Sequence, residues 1–582
     1  MRNGQTHSAP IFEVVDGPDQ DPMVDAMAGN EHHEVIIIGA GVAGIYQIKR
    51  LADLGVDAIV LDSGGDLGGT WYWNRYPGAR FDSESYTYGY SFSKELLDEW
   101  HWKEAFSSQP ENLKYLNHVA DKFDLRRYMQ FDCRVEAAHF HEDENRWHVF
   151  TSDGRELTAR FVVMALGLLS APTMPRIEGV EDFEGESFHT FHWPHEPVAL
   201  EGKRVGIIGT GATAIQAIPV MAEEAAELTV FQRRPNWAAP LNNYAISDET
   251  MADIRARYDE IFATCARTPG GFEHEPDRRG FWEVTRAERE AMWTRLYAEP
   301  GFGIWLRNFT EIFTDEKANA EFSAWFANRI RERVHDPELA EKLIPRDHGV
   351  GVQRLPLETN YFEAYNRGNV HLVDVSETPI ERITRTGIRT SVGDHHLDVI
   401  VYATGFDAIT GSFDRIDIRG TGGRTLREKW RDGPSTFFGM LVHGFPNLVM
   451  PTGPQSCSAS TNFPRGIEIG VDWVTDLLEF MWANGHVRAE ATREAEREWT
   501  EHVTQMYAAM LLRKARSWFT GYNSNVDGHE AGNVRYLVYT GGTPKFVKKI
   551  SEMTRNGYTG ITFESGLSSA AADAAAGARR AG

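Results

Sequence analysis

Apolar positions along this chain fall in short runs that alternate with helix-like stretches. Glu34 to Ile38 is a β-branched run that enters GAGVAG and then a helical pattern ending near Leu54. A second unit begins at Arg204 with VGIIGTGATAIQAIPVMAE, about 170 residues later. In both, an apolar strand, a glycine-rich turn and a helix follow one another, the order of a βαβ nucleotide-binding unit. The fold class predicted is α/β, with two Rossmann-like dinucleotide-binding domains and a helical insertion. The insertion is expected between Ile246 and Leu343, where ETMADIRARYDEIF and ANAEFSAWFANRIRERV are charged and helical. The strand-like DVIVYATGF near residue 400 is expected to return the chain to the first domain. The strongest apolar runs, Val35 to Ile38 and Phe161 to Leu169, are far shorter than the ~20 residues of a membrane span.

Composition narrows the class. With 582 residues, 42% hydrophobic and 25% charged, the chain is of ordinary globular usage, which excludes collagen-like and mainly disordered readings. A net charge of −24 makes nucleic acid and anionic membranes poor partners. Cys133, Cys265 and Cys457 form no CxxC pair, which argues against a disulfide framework, a cysteine zinc site or a redox dithiol. A cytoplasmic location follows as the expectation, with no metal site.

The two loops carry the chemistry. Gly39 permits a tight turn, Gly41 lets backbone approach a pyrophosphate, and Gly44 allows close helix–strand packing. Asp62 ends the next strand, where a carboxylate accepts ribose hydroxyls. In the second unit, Gly209, Thr210, Gly211 and Thr213 form the loop, but the following strand, LTVFQRRPNW, ends in Arg233 and Arg234. Two guanidinium groups suit a ribose 2′-phosphate, which an acid would repel. The first domain is therefore assigned to FAD and the second to NADPH. Hydride then passes from nicotinamide to flavin, and with no dithiol present dioxygen is the leading acceptor.

Three further segments carry a resemblance. Phe183 to Pro194, FEGESFHTFHWP, matches the FxGxxxHxxxW(P/D) fingerprint of type I Baeyer–Villiger monooxygenases. Gly68 to Gly78 resembles the family's GGTWxWNRYPG, and Asp398 to Phe406 resembles its ATG element; the likeness spans roughly residues 34 to 545. The run RLPLETNYFEAYNRGNVHLVDVSETPIERIT looks most like the branch that includes cyclopentadecanone monooxygenase. The resemblance implies an enzyme in which NADPH reduces FAD and oxygen forms a C4a-peroxyflavin that attacks a ketone to yield an ester or lactone. It implies that Arg354 is the active-site cation, suited by its permanent charge, and that Asp82 orients it. For FAD it implies Gly39, Gly41, Gly44, Asp62, Thr70, Trp71, Asp82, Tyr88 and Val135. For NADPH it implies Thr210, Gly211, Thr213, Gln216, Arg233 and Arg234, with Arg80 near the flavin and Trp518 on a mobile covering loop. His189 is expected to brace the linker between domains rather than to act as a base.

Some positions depart from the family's commoner pattern. Gln353 stands where many members have lysine, Asp62 where glutamate is commoner, and Phe463 where some relatives place methionine. The domain assignment is a flexible extension at 1–33, FAD-binding domain at 34–160 and 398–566, NADPH-binding domain at 161–245 and 346–397, helical subdomain at 246–345, and a flexible tail at 567–582. Ketone and dioxygen are the expected partners, with the chain a monomer or small homo-oligomer. Two alternatives stay open: a flavin-dependent sulfur or nitrogen monooxygenase, and a non-catalytic NADPH-sensing flavoprotein.

Overall fold

The structure, a computed structural model, describes residues 31–529 and 532–566. The expected extension up to residue 30 and the tail at 567–582 lie outside the described residues. Strand β1 (Glu31–Ile38) lies between β2 (Ala58–Leu61) and a later strand at Glu156–Met164, and Val35 to Ile38 are buried. β3 (Met129–Gln130) extends the sheet beyond β2. β4 (Val135–His141), β5 (Arg146–Thr151) and β6 (Glu156–Met164) form an antiparallel meander whose last strand runs parallel to β1. Consecutive buried apolar residues in β1, β2 and β6 are what a sheet covered on both faces requires.

β7 (Glu186–His189), β8 (Arg204–Ile208) and β9 (Glu227–Gln232) begin the second sheet. A two-residue parallel pair, β10 (Ala239–Pro240) and β11 (Leu357–Glu358), marks where the chain leaves for the helical insertion and returns. β12 (Val370–Asp374) joins the second sheet, and β13 (Ile380–Thr384), β14 (Gly387–Thr390) and β15 (Gly393–His396) form a separate antiparallel sheet. β16 (Val399–Tyr402) then enters between β7 and β8, giving the all-parallel order β12-β9-β8-β16-β7. β17 (Asp417–Arg419) and β18 (Leu448–Val449) return to the first sheet, beside β4 and β6. β19 (His486–Ala491) and β20 (Ile561–Ser565) pair with each other.

Both ends of the chain build the first domain. The helix Val42–Asp53 packs on the helix Phe463–Ala483, with Tyr46 donating to Asp472 at 2.6 Å and Gln47 to Thr475 at 3.0 Å. Three boundaries differ from the sequence expectation. Residues 31–33 belong to β1, because they pair with Leu157 to Ala159. Residues 161–164 belong to β6 in the first sheet, and Val399 to Tyr402 belong to the second. A run buried on both faces reads alike whichever sheet receives it, so the pattern fixed the strands and not their owners. The helical insertion is also divided. Its first helix, Asp248–Arg267, joins the core of the first domain through Met251, Tyr258 and Ile261, whereas Trp293, Phe322 and Phe326 pack with the second.

The helix Val42–Asp53 comes tightly against the loop that leaves β1 at Gly44, where a Cβ would lie 1.8 Å from the Gly39 carbonyl oxygen. Gly44→Ala is therefore expected to push the helix off β1, lowering the melting temperature by roughly 5 °C and the FAD bound per chain. Thermal melting and flavin absorbance of the purified variant check this.

Candidate active site

A cavity of about 1100 Å³ runs past the first glycine loop. Of the residues expected at FAD, Gly39, Gly41, Asp62, Thr70, Tyr88 and Val135 line it. The other three support the wall from outside. Gly44 seats the helix, Trp71 donates its indole N–H to the Tyr88 hydroxyl at 2.6 Å, and Asp82 lies beyond Phe81, whose ring stands 3.7 Å from that of Tyr88. Asp62 accepts from the amides of Ala40 at 2.6 Å and Gly64 at 2.7 Å. Burial raises its pKa, and these two amides oppose the rise. Each carboxylate oxygen keeps a lone pair for a hydroxyl, so the shorter Asp62 ties the loop while still offering acceptors to ribose. A helix N-terminus, an acceptor at the second strand and a cavity of this size together fit FAD. Phe463 lines the same space, as do Arg134, Arg415, Arg427 and Thr452, which sequence reasoning missed. Their only sequence signal is the neighbour relation of Arg134 to Val135.

Asp82 and Arg354 meet, although 272 residues separate them: Nη2 of Arg354 donates to Oδ2 of Asp82 at 2.6 Å. Asp82 is 3% exposed, and its carboxylate collects two further donors, the Leu357 amide at 3.3 Å and the Gln216 amide at 3.1 Å. Gln216 in turn accepts from the Tyr76 hydroxyl at 2.8 Å and donates to the Arg80 carbonyl at 3.1 Å. Its amide is thus committed to the first domain, although Gln216 sits on the helix Ala212–Glu224 that opens at the second glycine loop. Arg80 is committed as well, to Glu104 at 3.3 Å and the Phe106 carbonyl at 3.0 Å.

The second loop is built for close approach. Gly211 caps the helix, and a Cβ there would meet nothing within 4 Å. Thr213 follows it in the helix's first turn, and Thr210 donates to the Arg234 carbonyl at 2.6 Å, fastening the loop to the arginine pair. Arg233 donates to the Ser524 hydroxyl at 2.6 Å, and burial pushes its pKa down. Arg234 lies 3.4 Å from Asp347 and 5.2 Å over the Tyr522 ring. A hydrogen bond from His348, helped by Arg234, holds Asp347 down at about 2. Ser524 and Tyr522 follow Trp518, which starts a short turn against Phe519, so the loop that carries Trp518 lies on the arginines. His189 ends β7 and accepts from the Phe191 amide at 3.1 Å. Burial and His192 push its pKa down to about 4, which suits a neutral brace and not a base that gains a proton near neutrality.

Residues 36–268 match the family described as pyridine nucleotide-disulphide oxidoreductase. The 2-oxo-Δ3-4,5,5-trimethylcyclopentenylacetyl-CoA monooxygenase of Pseudomonas putida is 44% identical over 91% of this chain and 98% of its own. A Baeyer–Villiger monooxygenase of Pseudooceanicola batsensis is 39% identical over 91% of this chain and 96% of its own. The crystal structure of OTEMO complexed with FAD and NADP superposes with a TM-score of 0.88 at 43% identity, covering 92% of this chain and 100% of that one. Among the described residues, no helix is long and apolar enough to cross a membrane. With its two glycine loops, its paired Asp82 and Arg354 and near full-length likeness to these proteins, the chain belongs to the Baeyer–Villiger monooxygenases, flavoenzymes that bind FAD and NADP.

Proposed function

We propose that this chain uses NADPH and dioxygen to insert one oxygen atom beside a ketone carbonyl, yielding an ester or lactone, NADP⁺ and water. FAD, when bound, supplies the chemistry that takes the nicotinamide hydride and activates oxygen. The observation that carries the reading is the Asp82–Arg354 pair, joined through Gln216 to the helix of the second glycine loop. Adding activated oxygen to a carbonyl builds negative charge on oxygen, and a fixed cation lowers the energy of that charge. Arg354 spends one N–H on Asp82 and is a third exposed, leaving other donors of its planar fork for a developing oxyanion. Asp82 holds the guanidinium in one orientation, because its remaining hydrogen bonds come from the buried Leu357 amide and from Gln216, itself held by Tyr76 and the Arg80 carbonyl. Gln216 and Tyr76 extend that positioning to the helix of the second loop. Gly211 is read as the point where backbone meets the NADPH pyrophosphate, and Arg233 and Arg234 as the 2′-phosphate contacts. Three buried, unpaired cysteines support a reducing cytoplasm as the setting.

Transfer of electrophilic oxygen to sulfur or nitrogen needs no oxyanion stabilisation, so one substitution separates the readings. Arg354→Ala is expected to lower ketone conversion by at least about 10²-fold while sparing sulfide oxygenation. Product analysis by mass spectrometry checks this; equal loss on both substrate classes sinks the assigned role. Gln216→Leu leaves one oxygen of Asp82 without its donor, and a roughly tenfold fall in kcat for ketone is expected from steady-state kinetics. Gly211→Ala should leave the melting temperature unchanged and raise the KM for NADPH about tenfold or more, since its Cβ meets only the space where the nucleotide approaches.

A further inference from the structure

The β4–β5 hairpin lies in the first sheet between β17 and β6, and its turn carries a cluster that the oxygenation reaction does not use. His141 ends β4, Glu144 lies in the turn and His148 points inward from β5, 6% exposed. One donor atom from each lies within 4.8 Å of the other two. The two imidazole rings stack at 3.7 Å, tilted by 22°. Nδ1 of His148 meets a carboxylate oxygen of Glu156 at 2.5 Å, and its Nε2 faces Glu144 at 3.0 Å. A carboxylate on the far nitrogen of an imidazole is the arrangement that fixes a metal-ligating histidine and raises its basicity.

We propose that His141, Glu144 and His148 form a surface site for a divalent transition metal ion of the zinc class, with Glu156 orienting His148. Two imidazole nitrogens and one carboxylate oxygen form a borderline donor set that suits zinc, whereas calcium and magnesium prefer all-oxygen shells. Donors bonded to a tetrahedral ion at about 2.0–2.1 Å stand about 3.4 Å apart, and each imidazole lone pair lies in its ring plane, so His141 must swing off the face of His148 to share an ion with it. His141 and Glu144 are exposed and can move, while His148 is held. Glu142 and Asp143 place further negative charge beside the site. The turn itself is pinned on both flanks: the Gly422 amide donates to Glu142 at 2.8 Å, and Asn145 donates to the Val487 carbonyl at 3.0 Å. A fourth position is left for water, and the bound ion clamps the two strands together.

The rival account is that His148 is simply paired with two carboxylates, in which case added metal finds no specific place. The experiment titrates zinc chloride into the FAD-loaded, full-length chain, stripped of metal by a chelator, with calorimetric detection. One saturable equivalent is expected, weakened about tenfold or more in His141→Ala and in Glu144→Gln, and about 10–100-fold in Glu156→Gln. Zinc should raise the melting temperature of the unsubstituted chain and not that of His141→Ala. Both His141 and Glu144 are exposed, so the metal-free variants should melt with the parent. Absence of saturable binding, or equal affinity in the parent and both of these variants, overturns the proposal.

Discussion

Everything in the site hangs on one buried carboxylate. Taking the charge of Asp82 out of water is costly unless donors replace the water. The fold supplies three, from two distant segments: Arg354 and the Leu357 amide from one, and the Gln216 side chain from the other. Asp82 belongs to the first domain, Gln216 to the helix behind the second glycine loop, and Leu357 to the strand where the helical insertion ends. The same hydrogen bonds that solvate the carboxylate therefore fix how the two nucleotide domains face each other. A shift of the second domain would strip a donor from a buried anion, and the penalty for that exceeds the net gain from any single exposed contact.

What could be read in the sequence is what backbone geometry demands of particular residue types. Gly44 is legible because no side chain fits 1.8 Å from a carbonyl, and Asp62 because an acceptor at the end of that strand meets the loop amides whatever lies around them. The place of Arg233 and Arg234, directly after β9, was legible in the same way. Partnerships across the chain were not. The resemblance gives Gln216 as an NADPH contact; in the structure its amide turns to Asp82 and Tyr76, because the helix face it occupies is the one that meets the first domain. Arg134, Arg415 and Arg427 converge on the cavity from three segments with no common motif. The His141, Glu144 and His148 cluster was invisible for a related reason. A hairpin turn, and not a helical or linear spacing, brings it together.

The arginine pair shows how the molecule keeps a cation site in readiness for an anion. Two guanidinium groups side by side repel, and here each is engaged by groups of the chain itself: Ser524 at Arg233, with Asp347 and the Tyr522 ring at Arg234. Asp347 stands off at 3.4 Å, at the long limit of a hydrogen bond, so its hold on Arg234 is mainly Coulombic and screened at the half-exposed surface. A phosphate arriving there would present three oxygens where Asp347 presents one, at shorter charge-assisted distances. Exchange of one anion for a better one costs little, because the arginines are never left bare. The loop bearing Ser524 and Tyr522 also bears Trp518, so the groups that must yield to a 2′-phosphate are joined to the tryptophan assigned to cover the nicotinamide half. Under the proposed reading, occupation of the phosphate site and the position of that cover are coupled through about six residues of chain. With Gln353 in place of a lysine, no cation from that position backs Arg233 and Arg234, the pair proposed for the 2′-phosphate.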